Sequence, residues 1–133
     1  MKYQYLNKTF FGLLLLLFAL TGCKEKDFQS TRSQDQADLS RLRIELDKLS
    51  GQSNCDATTE WVILAIGAKS CGGPSEYIAY NKKIDVEQFL KKVAIYTNKQ
   101  KAFNVKWGFG SDCSVIEPPK SVACVDGKAK LVY

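Results

Sequence analysis

Trp61-Val62-Ile63-Leu64-Ala65-Ile66-Gly67, then Lys69-Ser70-Cys71-Gly72-Gly73-Pro74, then Tyr77-Ile78-Ala79-Tyr80: this stretch decides the fold. The first run is continuously apolar and partly β-branched, which predicts a buried strand. The second is a glycine-proline turn cluster. The third predicts a strand returning beside the first, with Asn81-Lys82-Lys83 as the exit loop. Asp85 then caps a helix, with Gln88 three residues on as its capping-box partner. That helix is expected to run to about Ala102, with Val86, Phe89, Leu90, Val93 and Thr97 on one face. Short strands are expected after it, near Val105 to Phe109, Ser114 to Ile116, Ser121 to Val125 and Lys130 to Tyr133. Asp126-Gly127 is a hairpin signal between the last two. The sum is an α+β domain over residues 52–133: a small antiparallel sheet packed against one long amphipathic helix.

The chain has 133 residues, room for one such domain, and 45% hydrophobic and 25% charged residues exclude a collagen-like or disordered chain. There is no histidine, so neither a Ser-His-Asp triad nor a His-ligated metal site can be assembled. With 19 Lys+Arg against 14 Asp+Glu the net charge is +5. Removing residues 1–22, and with them Lys2 and Lys8, leaves +3, too modest for a nucleic-acid partner.

Lys2 and Lys8 precede an apolar run from Thr9 to Leu20. At ~1.5 Å per residue that run makes about 18 Å of helix, too short for a ~30 Å bilayer core and right for a signal peptide over residues 1–22. It ends Leu20-Thr21-Gly22-Cys23, which resembles the lipobox of bacterial lipoproteins. The resemblance implies that Cys23 becomes the acylated first residue, carrying diacylglycerol and a further chain such as palmitate. No other cofactor is expected. Lys24 rather than Asp follows the cysteine, which by analogy with lipoprotein sorting favours the outer membrane. Lys24-Glu25-Lys26-Asp27 is similar to surface-export signals, but a charged, solvated spacer is the preferred reading.

Residues 23–33 read as a flexible tether and residues 34–51 as a helix. Leu39, Leu42, Leu46 and Leu49 form its narrow apolar stripe; Ser33 or Asp35 suits its start and Gly51 its stop. Such a helix either packs on its own domain or forms a semi-rigid stalk, or else it serves a structural partner or a second copy.

Cys55, Cys71, Cys113 and Cys124 remain after Cys23 is set aside. An even number in an oxidising envelope predicts two disulfides. Spacing favours Cys55–Cys71 with Cys113–Cys124, each closing a loop of about 12 to 17 residues and contributing roughly 3 kcal/mol. No C-x-x-C pair suggests a metal or redox centre.

Four features invite a functional reading. The glycines of Cys71-Gly72-Gly73-Pro74 allow close ligand approach, though a turn needs them equally. Glu117-Pro118-Pro119-Lys120-Ser121 lies between Cys113 and Cys124, a stiff loop with the local look of a protease inhibitor's reactive bond at Lys120-Ser121. The aromatics Trp61, Tyr77, Tyr80, Phe89, Tyr96, Phe103, Trp107, Phe109 and Tyr133 are core or, where exposed, a platform for glycan or peptide. The carboxylates Asp56, Glu60, Glu76, Asp112, Glu117 and Asp126 are not paired by any spacing, so no catalytic residue is assigned and an enzyme is not expected.

Across Trp61 to Gly127 the order W…C-G-G-P…helix…S-D-C…P-P…C-x-D-G is similar to small uncharacterised cysteine-containing bacterial lipoproteins. That similarity implies an envelope location and carries no activity with it. We therefore expect a lipid-anchored binding module with a protein or glycan partner. The alternatives are a tethered hydrolase inhibitor acting through the proline loop and an assembly lipoprotein acting through the leucine-striped helix.

Overall fold

The computed structural model describes residues 30–52 and 54–133. The expected signal peptide, Cys23 and most of the expected tether lie outside the described residues. Among the described residues the order of elements is α1 (Arg32–Leu49), β1 (Trp61–Ile66), β2 (Glu76–Asn81), α2 (Val86–Trp107), β3 (Ser121–Val125) and β4 (Lys128–Val132). The chain is α+β. The strands form two separate two-stranded antiparallel sheets, β1–β2 and β3–β4, where one sheet was expected.

Helix α1 begins earlier than its leucine stripe suggests. Thr31, not Ser33 or Asp35, is the cap: its hydroxyl accepts from Gln34 N while the Gln34 side chain accepts from Thr31 N, a complete capping box. Two of the stripe leucines, Leu39 and Leu46, are buried, and Leu42 and Leu49 pack against them. The stripe is thus spent on the chain's own core. Helix α2 starts at the Asp85 cap as expected but ends at Gly108, whose φ of +59° suits a glycine. The expected strand from Val105 to Phe109 is therefore the last turn of α2 and its exit. Phe103 and Trp107 lie four apart on one helical face, and Val105 between them is 86% exposed. Residues Ser114 to Ile116, also expected as a strand, have no regular structure.

In β1–β2, Trp61 stands opposite Asn81 and Ile66 opposite Glu76. Val62, Leu64, Ile66, Ile78 and Tyr80 share the face that meets the helices. Leu46, Ile66, Ile78 and Phe89 are fully buried there, and the Tyr80 and Phe89 rings sit 5.0 Å apart. The helices run antiparallel: Asp35 near the start of α1 meets Lys106 and Trp107 at the end of α2, each at 2.9 Å, and Glu45 meets Lys92 at 2.8 Å. Hydrogen bonds from Ser30, Lys106 and Trp107 hold the Asp35 carboxyl down at a pKa of about 2.

The β3–β4 hairpin lies beside the first one, β4 near β2 and β3 near β1. Asp126 and Gly127 both take positive φ, 51° and 69°, the two-residue turn that their sequence signals. The hairpin is held by Cys55 N donating to Gly127 O at 3.0 Å and Ala129 N donating to Gln52 O at 2.9 Å.

The disulfides are Cys55–Cys124 and Cys71–Cys113, not the local pairs Cys55–Cys71 and Cys113–Cys124. Local pairing would be favoured if loop length alone decided. The hairpins decide instead: they bring Cys55, just before β1, to Cys124 in β3, and bring the β1–β2 turn to the segment leaving α2.

Candidate functional site

The sequence-predicted loop is placed differently from its expectation. No disulfide closes its base, since Cys113 and Cys124 have other partners. Pro119 is buried, Glu117, Pro118, Lys120 and Ser121 are exposed, and Lys120 N donates to Val132 O at 2.7 Å. Ser121 is the first residue of β3, opposite Val132. Lys120-Ser121 is thus the start of a paired strand rather than the tip of a free loop.

The Cys71-Gly72-Gly73-Pro74 stretch is a hydrogen-bonded turn between β1 and β2. Lys69 N donates to Gly73 O at 3.0 Å and Gly72 N to Lys69 O at 3.1 Å. Of the scattered carboxylates, Asp56 is held by Thr58 and Thr59, Glu60 by Lys82, Glu76 by Arg43 and Tyr96, and Asp112 by Ser114 and Lys69. Each is tied to its own neighbours. Among the described residues no group of three or more His, Cys, Asp or Glu side chains is gathered as a metal would need, and no helix is long and apolar enough to cross a membrane.

What the sequence did not signal is a cleft of about 550 Å³ between α1 and α2. One wall is α1, with Gln36, Ser40 and Arg43; the other is α2, with Tyr96, Gln100 and Asn104. Leu39 and Phe103 form the apolar floor, and Ile44 and Phe109 stand at the mouth, 55% and 47% exposed. The end wall joins Ala68-Lys69-Ser70 of the β1–β2 turn to Phe109-Gly110-Ser111, and Cys71–Cys113 cross-links these two segments. Ser70 Oγ donates to Phe109 O, and Lys69 Nζ donates to Ser114 O at 2.7 Å. Arg32 lies over the Phe109 ring, 5.5 Å from its centroid.

The polar groups of the cleft hold one another in place. Gln100 Oε1 accepts from Ala68 N at 2.7 Å and from Ser75 Oγ at 2.8 Å. Asn104 Nδ2 donates to Ala68 O at 2.9 Å. Two adjacent amide side chains on α2 therefore clamp both backbone groups of Ala68. Gly67, at φ +71°, makes room for this: a Cβ there would overlap Ser75 Oγ and Gln100 Oε1. Tyr96 Oη donates to Glu76 Oε1 at 2.8 Å, and burial together with that carboxylate pushes the phenol's pKa well up.

The charges facing the cleft are already paired. Arg43 Nε donates to Glu76 at 2.8 Å, and its guanidinium also meets Asp47. Burial opposes the Arg43 charge, but the hydrogen bonds to Glu76 and Asp47 outweigh it and hold its pKa above the ordinary value. Lys69, 14% exposed, faces Asp112 at 3.3 Å. Hydrogen bonds from Ser114, then Lys69, hold the Asp112 carboxyl below its usual range. The cleft thus offers an apolar floor, neutral amides and internally neutralised charges. Such a lining suits a neutral ligand that is partly apolar.

Comparison with models of protein families, with curated proteins and with solved structures finds no match to this chain.

Proposed function

We propose that the protein is a lipid-anchored binding module of the cell envelope, tethered through Cys23 to the outer membrane and binding its partner in the cleft between α1 and α2. The observation that carries the binding reading is the cleft itself: about 550 Å³, floored by Leu39 and Phe103, with an end wall fixed by Cys71–Cys113. That size lies in the ordinary range of ligand sites, ~300 to 1,000 Å³. Support for the envelope comes from Leu20-Thr21-Gly22-Cys23 behind its apolar run, and from two disulfides, which persist in oxidising compartments. Two acyl chains hold a protein firmly on a bilayer, at ~0.8 kcal/mol per buried methylene. The module acts by contact and performs no catalysis.

Anchoring and binding are tested separately. Fatty-acid labelling of cells should mark the wild-type chain and not Cys23→Ser. Co-purification from native envelopes should recover a partner with the wild type and with Lys120→Ala, but not with Ser40→Trp, which fills the cleft from an exposed turn of α1. A partner lost with Lys120→Ala and kept with Ser40→Trp would move the function to the proline loop.

A further inference from the structure

Two side chains in the cleft have their orientation fixed and one end left over. A backbone N–H can only be accepted by an oxygen, so the bond from Ala68 N fixes Gln100 with Oε1 toward the turn and its NH2 group free of that contact. A backbone carbonyl can only be approached by a donor, so Ala68 O fixes Asn104 with Nδ2 toward the turn and leaves Oδ1. Both residues line the cleft and are half-buried, and among the described residues neither leftover group has a hydrogen-bond partner. Being four apart on α2, they stand on consecutive turns, their Cβ atoms ~5 to 6 Å apart. The cleft therefore presents one oriented donor beside one oriented acceptor.

An extended peptide residue turns its own C=O and N–H to the same side, the arrangement by which antiparallel strands exchange paired bonds. Gln100 and Asn104 offer the complement of that edge. The rest of the lining agrees with this occupant. Leu39, Ile44, Phe103 and Phe109 provide an apolar bed for a side chain. Arg43 and Lys69 are already neutralised by Glu76, Asp47 and Asp112, so an anionic ligand would have to break existing pairs. A sugar ring is the poorer fit, because Phe109, the exposed aromatic of the lining, already has Arg32 over its ring and Phe103 packed against it.

We infer that the cleft recognises an extended, uncharged peptide segment, its backbone amide groups held by Gln100 and Asn104 and an apolar side chain laid against Phe103 and Phe109. This rests on the binding-module reading and names its partner class.

The test is an NMR titration of the acylated full chain in detergent micelles with N-acetyl-Leu-Ala-Leu-amide, and in a parallel sample with chitotriose. The expected result is a saturable shift of the Gln100 side-chain NH2 and the Ala68 backbone amide with the peptide. Gln100→Glu keeps an oxygen for Ala68 and Ser75 but replaces the free donor by an acceptor. It should weaken binding at least about tenfold, the loss of one hydrogen bond to a buried group. Ser40→Trp, which leaves the Gln100 bonds untouched, should abolish binding. The inference is overturned if the peptide shifts nothing up to its solubility limit, or binds Gln100→Glu as well as the wild type. Saturation by chitotriose alone would overturn the peptide partner and leave the binding module standing. Silence with both probes, joined to co-purification insensitive to Ser40→Trp, would remove both.

Discussion

The two disulfides are nested, and nesting makes their contributions interdependent. Cys55–Cys124 spans 69 residues and encloses Cys71–Cys113, which spans 42. By the chain-entropy relation, the outer bridge alone constrains the unfolded chain by about 4.4 kcal/mol and the inner one alone by about 4.0 kcal/mol. With the inner bridge closed, the outer one closes an effective loop of only about 28 residues and contributes about 3.6 kcal/mol. Cys55→Ser/Cys124→Ser should therefore cost about 3.6 kcal/mol when the inner bridge is present, and about 4.4 kcal/mol when it is absent. Urea unfolding followed by the fluorescence of the two tryptophans gives each value. The decisive variant is Cys55→Ser/Cys71→Ser. It breaks both bridges here, should lose about 7.5 kcal/mol and should leave two reactive thiols, Cys113 and Cys124. For a domain with ~5 to 15 kcal/mol of stability, that loss is close to unfolding. A Cys55→Ser/Cys71→Ser chain that folds with a loss of only about 3 kcal/mol and no free thiol would mean Cys113–Cys124 pairing and refute the topology argued above.

Asp35→Asn should flatten the acid limb of stability. A carboxyl held at about 2 in the fold stabilises above its ordinary value of 3.8 and loses that contribution as pH falls toward 2, so thermal midpoints of wild type and variant should converge across that window. Gly67→Ala should destabilise by well over about 1 kcal/mol, from positive φ and overlap with Ser75 and Gln100. Gly72→Ala, at φ +98° in open space, should cost about 1 kcal/mol, a contrast that urea melts will resolve. Leu46→Ala, at a fully buried position, should cost about 2 to 5 kcal/mol by the same melts; a loss under about 1 kcal/mol would mean that α1 is not part of the core.

Elements with their own local signal were legible in the sequence. The apolar run at Trp61, the Asp85 cap and the Asp126-Gly127 turn each name their structure without help from distant residues. The end of α2 was not, because Phe103, Val105 and Trp107 alternate like a strand while the helix already under way carries them through a further turn. The disulfide pairing was not, because loop length favours near neighbours and only the hairpins bring Cys124 to Cys55. The cleft was least legible of all. Ser40 and Arg43 look like ordinary solvent-facing positions of α1, and the one available hint, Gln100 and Asn104 four apart, gains meaning only when α1 packs beside them.

The most direct test of the account places a diazirine amino acid the size of leucine, too small to fill the cleft as tryptophan does, at Ser40 in one full-length chain and at Lys120 in another, each irradiated in its native envelope. Binding in the interhelical cleft predicts a discrete adduct from position 40, lost when Cys71 and Cys113 are both serine, and none from position 120. An adduct from position 120 alone, or none from position 40, would contradict it.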